Sequence, residues 1–377
     1  MKRIILTTLL FTFIGLNSNA QETVYSVVQE VKPNEWYYEQ ARLWKAEIDK
    51  NNQNAEAWYN YYSAHRALMN RETTEEKRLE NRKIGKQIIK DVLAAIPNSF
   101  EANHLAYWDI GIGNGGEKYL EKANQIDPND PRIFDDIMIL HAVEQNDEGF
   151  KKVTRKIYET EQLPPGLLNW GYNVLSEVDE NAIVFVAGDN DTYALWVVQG
   201  ALGYREDVTV INTSLMLLDD HRERLENKLG MDHFGKIKHQ PFHDLYLHFL
   251  DNGKNIPAYV AMTAYGQFDV DSISENLYLN GLTYKFCKND FDNLSVIRRN
   301  YEKRYKLDYL DVEFTHHQFY EHLESLKAMY LASMIKLYSH YKVSEQLESA
   351  KKLEALIKKI SEQTGKTGEV EELLKDC

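Results

Sequence analysis

Cysteine is almost absent: Cys287 and Cys377 are the two in 377 residues. Two thiols cannot make a disulfide framework, and they cannot fill a thiolate metal site. Cys287 is expected in a strand core and Cys377 as a free thiol in the tail. Basic residues are also short. Lys and Arg number 44 against 58 Asp and Glu, a formal charge of −14. That balance excludes nucleic acid as a partner, because phosphate contacts need clustered positive charge. It also opposes docking on an anionic bilayer. Past the first 20 residues no run of about 18 apolar residues occurs, so the mature chain is expected not to span a membrane. No GxSxG, Walker A, GxGxxG or HExxH string is present. No cofactor and no metal is implied.

What is present is apolar and aromatic material. Hydrophobic residues make up 43% and aromatic residues 12%, enough to bury a large core and exclude wholesale disorder. The N-terminus has a basic start at Lys2 and Arg3, then an apolar stretch from Ile4 to Leu16. Ser18 and Ala20 put small residues where a signal peptidase reads them. Residues 1–20 are therefore expected to be a signal peptide, cleaved near Ala20/Gln21. The protein is expected to be exported and periplasmic.

Residues 21–177 are expected to form a helical repeat domain. Tyr37, Ala41 and Trp44 sit at helical spacing, and Asn51 to Asn54 interrupt it. Further helical stretches follow up to the break at Pro97. The clearest turn runs Asp127-Pro128-Asn129-Asp130-Pro131, after Tyr119-Leu120-Glu121-Lys122-Ala123. Ala123 permits close helix approach, and the two prolines stop one helix and start the next. This stretch resembles a tetratricopeptide repeat, which implies helix pairs stacked over a shared core. Trp36, Trp44, Trp58, Tyr59, Tyr61, Tyr62 and Trp108 are expected mainly as packing. A concave face for a peptide is the functional alternative.

Near Asn181 the pattern changes. Ile183 to Ala187 and Val208 to Asn212 are short, β-branched runs separated by a helix from Thr192 to Leu202. Ala258 to Met262 is a third strand, and Leu277 to Phe286 supplies one or two more. Residues 178–300 are thus expected to be a small Rossmann-like, mostly parallel α/β module. Residues 301–377 are expected to be a C-terminal helical segment. Its helices either close the helical scaffold or pack back onto the α/β module. The fold class is α plus α/β, with tetratricopeptide-like repeats flanking the module.

The string Gly188-Asp189-Asn190-Asp191-Thr192, with Leu195-Trp196 and Gln199, resembles the soluble C-terminal region of bacterial multi-pass membrane glycosyltransferases akin to protein O-mannosyltransferases. The likeness continues through Arg205-Glu206-Asp207 to Leu215 and returns at Tyr278 to Lys285, covering about residues 168 to 300. It implies an extracytoplasmic module tied to envelope glycan handling. It does not carry the transferase chemistry, which is expected in membrane helices that this chain lacks.

The loop from Gly188 to Asp191 is expected at the carboxyl end of a parallel strand, where open α/β sheets place ligands. Two carboxylates there favour a sugar hydroxyl, an amine or a cation over an anion. Asp189, Asn190, Asp191, Thr192, Asn212 and Ser214 are the candidate ligand-binding residues, with Thr213, Thr263 and Tyr265 converging on the same edge. The alternative is that the two aspartates bond turn and helix N–H groups. His239, His243 and His248 with Asp244 are read as a surface cluster, because Pro241 breaks the helical register. His316 and His317 are adjacent and face different ways on a helix.

The leading expectation is a non-enzymatic periplasmic scaffold that binds an envelope protein or peptide through its helices. The alternative is a glycan-binding or glycosylation-related protein, enzymatic or not, using the acidic loop.

Overall fold

The computed structural model describes residues 20–235, 242–268, 270–312, 320–375 and 377. The expected leader, up to residue 19, lies outside the described residues. The chain forms two compact units. The first takes residues 20–25 and 33–96; the second takes residues 26–32 and 97–377.

The first unit holds α1 (Asn34–Lys50), α2 (Ala55–Arg71) and α3 (Glu75–Ala95). The polar break at Asn51 to Asn54 ends in a helix cap, and a second cap starts α3. Asn54 accepts the Ala57 N–H at 3.1 Å, and Thr74 accepts the Lys77 N–H at 3.4 Å. One stripe of α1 is buried, at Tyr37, Ala41, Trp44 and Ile48, which is the spacing of one helix face. Trp58, Tyr59 and Tyr62 of α2 are buried as well, whereas Trp36 and Tyr61 are half-buried. Gly85 of α3 lies against the terminal methyl of Met69, so a larger residue there would displace that side chain.

The second unit begins with α4 (Phe100–Ile110), α5 (Glu117–Ile126), α6 (Phe134–Glu144), α7 (Asp147–Glu159) and α8 (Pro165–Glu177). α4 pairs with α5 and α6 with α7. The Asp127 to Pro131 turn works through its carboxylates: Asp127 accepts the Asn129 N–H at 3.0 Å, and Asp130 accepts the Arg132 N–H at 2.9 Å. Ala123 is fully buried, as close helix approach requires.

Five strands follow: β1 (Ile183–Val186), β2 (Thr209–Asn212), β3 (Ala258–Ala261), β4 (Leu277–Leu279) and β5 (Thr283–Phe286). Their order is β2-β1-β3-β5-β4. β2, β1 and β3 are parallel, which is the Rossmann-like half. β5 runs antiparallel to both β3 and β4, so the sheet as a whole is mixed. Three residues separate β4 from β5, too few for the crossover a parallel pair needs. α9 (Asp189–Leu202) links β1 to β2. α10 (Asp219–Leu229) and α11 (Phe242–Leu250) lie between β2 and β3, and the short α12 (Val270–Ile273) follows β3.

β1 is buried on both faces. Val184 and Val186 join a core with Tyr259, Trp170 and Leu195, whereas Ile183 and Phe185 join Ile211, Val260 and Phe249 on the other side. Helices on both faces explain why its sequence is continuously apolar instead of alternating.

After β5 come α13 (Asn293–Arg299), extended by a π-helical turn over Asn300–Arg304, and α14 (Asp308–Asp311). α15 (Tyr320–Ala328), α16 (Tyr330–Val343), α17 (Leu347–Gln363) and α18 (Thr367–Lys375) complete the chain. Leu326, Tyr330, Met334 and Ile357 share one core with Trp170 and Val184. The C-terminal helices therefore join a core common to the preceding helices and one face of the sheet. Cys287 follows β5 instead of lying within it and is half-buried, because the strand ends at Phe286. No described helix is long and apolar enough to cross a membrane.

Candidate functional site at the strand ends

Register places the site. Val186 of β1 pairs with Asn212 of β2, and Phe185 pairs with Val260 of β3. The chain therefore leaves all three parallel strands at one edge, and the polar residues that follow each strand gather there.

α9 starts at Asp189, three residues earlier than its sequence suggests. Gly188, at φ 95°, turns the chain directly from strand to helix, a conformation glycine adopts without strain. The Asp191 carboxylate accepts the Ala187 N–H at 3.2 Å, satisfying a donor that the turn would otherwise strand. Asp191 is 4% exposed. Burial pushes its carboxyl up to about 7, against the pull of the Thr263 hydroxyl and the N–H groups of Asp191, Thr192 and Ala187.

Thr192 and Asn212 complete the arrangement. The Thr192 hydroxyl donates to the Gly188 carbonyl at 2.6 Å and accepts from the Asn212 amide at 2.9 Å. Asn212 in turn accepts the N–H groups of Ser214 and Leu215 at 2.9 and 3.1 Å. Asn190 is buried and donates to the Val28 carbonyl at 2.9 Å, so residues 26–32 lie against this edge. Asp189 and Ser214 are exposed. The structure thus joins Asp191, Thr192 and Asn212, turns Asn190 toward the N-terminal segment, and leaves Asp189 and Ser214 facing outward. Asn190 Oδ1 and Thr213 Oγ1 are buried at this edge without a partner among the described residues.

Residues 167–229 match the family TMEM260-associated domain 2. That domain takes its name from a membrane family related to O-mannosyltransferases. The match spans α8, β1, α9, β2 and α10, a narrower stretch than the likeness read from sequence, and it contains all six candidate residues. No curated protein matches the chain.

Within the TMEM260-associated stretch, several polar residues fasten the fold. Gln199 donates to the carbonyls of Arg205 and Val208, both at 2.8 Å, and so holds the loop from α9 to β2. The Arg205 guanidinium donates to the carbonyls of Leu175, Val178 and Asp179 at 2.7, 3.0 and 2.7 Å. It thereby caps the carboxyl end of α8, where cations are favoured. Arg205 also holds the Asp207 carboxyl down to about 2, and Asp207 accepts the Asn181 N–H at 2.9 Å.

A second lock joins α8 to the turn between β4 and β5. Glu177 accepts the Leu282 N–H at 3.0 Å and the Thr283 hydroxyl at 2.5 Å, and the Tyr305 hydroxyl also donates to it. Burial pushes its carboxyl up to about 7, opposed by those donors. The Asn280-Gly281-Leu282-Thr283 string of the sequence is the receptor for this carboxylate.

One feature of the second unit had no sequence signal. A cavity of about 210 Å³ lies beside the edge strand β2, walled by His141, Phe150, Trp196, Gln199, Glu206 and His221. These residues come from α6, α7, α9, the α9–β2 loop and α10, and no spacing in the chain links them. His221 is buried and its pKa is pushed down to about 4 by burial, so its imidazole is neutral near pH 7. Trp196 packs edge-on against Phe150 with ring centres 5.9 Å apart, away from the strand ends.

Among the described residues, no group of three His, Cys, Asp or Glu side chains is placed to hold a metal ion. His243 Nε2 lies 3.1 Å from Ser272 Oγ, and His248 lies 3.6 Å from Glu226. His239, Pro241, His316 and His317 lie outside the described residues.

Proposed function

We propose that the protein is an exported, non-catalytic accessory of the cell envelope that binds an envelope protein or peptide through its helices. The observation that carries this reading is the use made of the strand-end side chains. Asp191, Thr192 and Asn212 spend their hydrogen-bonding capacity on the Ala187, Gly188, Ser214 and Leu215 backbone and on each other. Groups committed in this way are poor ligands for anything else, because freeing them costs about 1 to 3 kcal/mol apiece. In this reading the TMEM260-associated stretch serves as structure and not as a ligand site, and the leader expected in residues 1–20 supplies the compartment.

A second reading has its own support. The unpartnered Asn190 Oδ1 and Thr213 Oγ1, beside a carboxyl near neutrality at Asp191, offer a small polar edge suited to a glycan hydroxyl. The match to a domain from an O-mannosyltransferase-related family favours glycan handling as its setting.

Affinity recovery from the periplasm and membrane fraction, followed by cross-linking, separates the two. Wild type is compared with the Asp189→Asn/Asp191→Asn double variant. A protein partner retained by both, cross-linked to the helices, is the expected result. Recovery of glycan by wild type alone would overturn the scaffold reading in favour of the strand ends.

A further inference from the structure

Residues 20–25 have no regular secondary structure and are held by hydrogen bonds to side chains of α1 and α2. They run along α1 and α2, and the main-chain contacts fall on alternate residues, while the Gln21 side chain donates to Glu47 at 2.9 Å. The Gln40 amide accepts the Glu22 N–H at 2.9 Å and donates to the Ala20 carbonyl at 3.5 Å. The Trp44 indole donates to the Glu22 carbonyl at 3.0 Å. Asn60 accepts the Val24 N–H at 2.7 Å, while its own amide is anchored on the Glu56 carbonyl at 2.9 Å. The backbone of residues 20, 22 and 24 is thus read at every second position, the period of an extended chain. Val24 is the one side chain of the segment that is buried, at 3% exposed; Gln21, Glu22 and Thr23 face solvent.

The receiving groups are unusual for a helical surface. Gln40 and Asn60 are 2% and 3% exposed, and their free amide edges point at the segment. With the segment in place both amides are buried and satisfied; without it each loses its main-chain partner and must be rehydrated. Main-chain bonds that ignore sequence, plus one pocket for an aliphatic side chain, are how extended peptides are recognised.

We propose that the α1–α2 face is a peptide-recognition groove occupied in cis by residues 21–25, the start of the expected mature chain, through Glu22 and Val24. Its partner class is an extended segment with a small aliphatic residue at the Val24 position. Binding in trans requires the chain's own segment to leave, so the segment sets the threshold for partner binding. This rests on the accessory reading above and names the ligand class for it.

The test uses the mature chain, starting at Gln21, and a fluorescein-labelled peptide, Gln-Glu-Thr-Val-Tyr-Ser, the sequence of residues 21–26. A Val24→Asp variant cannot seat its own segment. It should bind the peptide at least ten-fold more tightly than wild type, and adding Asn60→Ala should remove that binding. A folded Val24→Asp variant with no affinity for the peptide would overturn the proposal. If that variant does not fold, hydrogen exchange in wild type decides: saturating peptide should speed exchange of the Glu22 and Val24 amides at least ten-fold. Unchanged exchange would overturn the proposal. Capture of an envelope partner by other helices with no peptide binding would sink this inference alone and leave the accessory reading standing.

Discussion

The backbone N–H of Leu282 donates to the buried carboxylate of Glu177 at 3.0 Å, which pins the last residue of α8 to the turn between β4 and β5. Gly281 makes room for that contact. Its φ is 151°, and a Cβ there would meet the Tyr305 hydroxyl and the Glu177 carboxylate at once. Gly281→Ala is therefore expected to destabilise the second unit by about 3 kcal/mol or more, combining backbone strain with a forced clash. Thermal or urea unfolding of the variant beside wild type measures it. A loss below about 1 kcal/mol would mean that the lock yields without cost.

The two raised carboxyls make stability depend on pH in a stated direction. Glu177 and Asp191 both move from ordinary carboxylate values up to about 7 in the folded protein. A folded value above the unfolded one favours the protonated, folded form. The contribution is complete below about pH 4 and is lost as pH rises through 7, on the order of 3 to 4 kcal/mol for each group. Glu177→Gln/Asp191→Asn replaces both acids with uncharged isosteres. The Tm of that variant, minus the wild-type Tm, should grow steadily from pH 4 to 8. A flat difference would show that neither group titrates in this window.

His221 acts in the opposite sense. Its folded pKa is depressed to about 4 by burial, so its stabilising share is present above about 6.5 and is lost as pH falls toward 4. His221→Gln should lessen the loss of wild-type stability between pH 6.5 and 4. A Tm series across that range, variant beside wild type, reads it out. An unaltered acid slope would place the titration elsewhere.

Arg205 serves three carbonyls and Asp207 from one guanidinium. Arg205→Lys keeps the charge but loses the fork that reaches them together. The expected cost is about 2 to 3 kcal/mol, nearly that of Arg205→Ala, because the carbonyls at the end of α8 lose their donors in either case. Urea midpoints of the two variants make the comparison. Recovery of most of the stability by lysine would mean that charge alone matters there.

Gly171 of α8 faces α9 so closely that a Cβ would lie 2.8 Å from the carbonyl carbon of Ala194. The obstacle is backbone, which cannot swing aside as a side chain can. Gly171→Ala should separate the two helices and cost about 1 to 3 kcal/mol, although alanine is the better helix former by about 1 kcal/mol. Chemical denaturation tests the sign. A stabilised variant would show that helix propensity wins over packing at this position.

Local chemistry in the sequence accounts for much of this. Helical spacing at Tyr37, Ala41 and Trp44, the caps at Asn54 and Thr74, and the two-proline turn after Asp127 are each legible from a few neighbouring residues. The same holds for β1 and β2, whose β-branched runs end at Gly188 and at the polar residues after Asn212. Gathering the Asp191, Thr192 and Asn212 groups at one edge follows from strand order, once β1 and β2 are taken as parallel. The early start of α9 was not legible, because it depends on Asp191 reaching back to the Ala187 N–H. Nor was the cavity beside β2, whose walls come from several separate elements.

By itself the sequence determined the secondary elements, the parallel core of the sheet, and the residues that punctuate them. Those choices are local, set by backbone propensity, side-chain period and capping within a turn or two. Tertiary structure alone decided what the polar groups do. Asp191 became a helix-start bond, Glu177 and Arg205 became locks on α8, and Gln40 and Asn60 came to hold residues 20–25. A buried polar group must find a partner wherever the fold places one, four residues away as Ala187 is from Asp191 or 105 away as Leu282 is from Glu177.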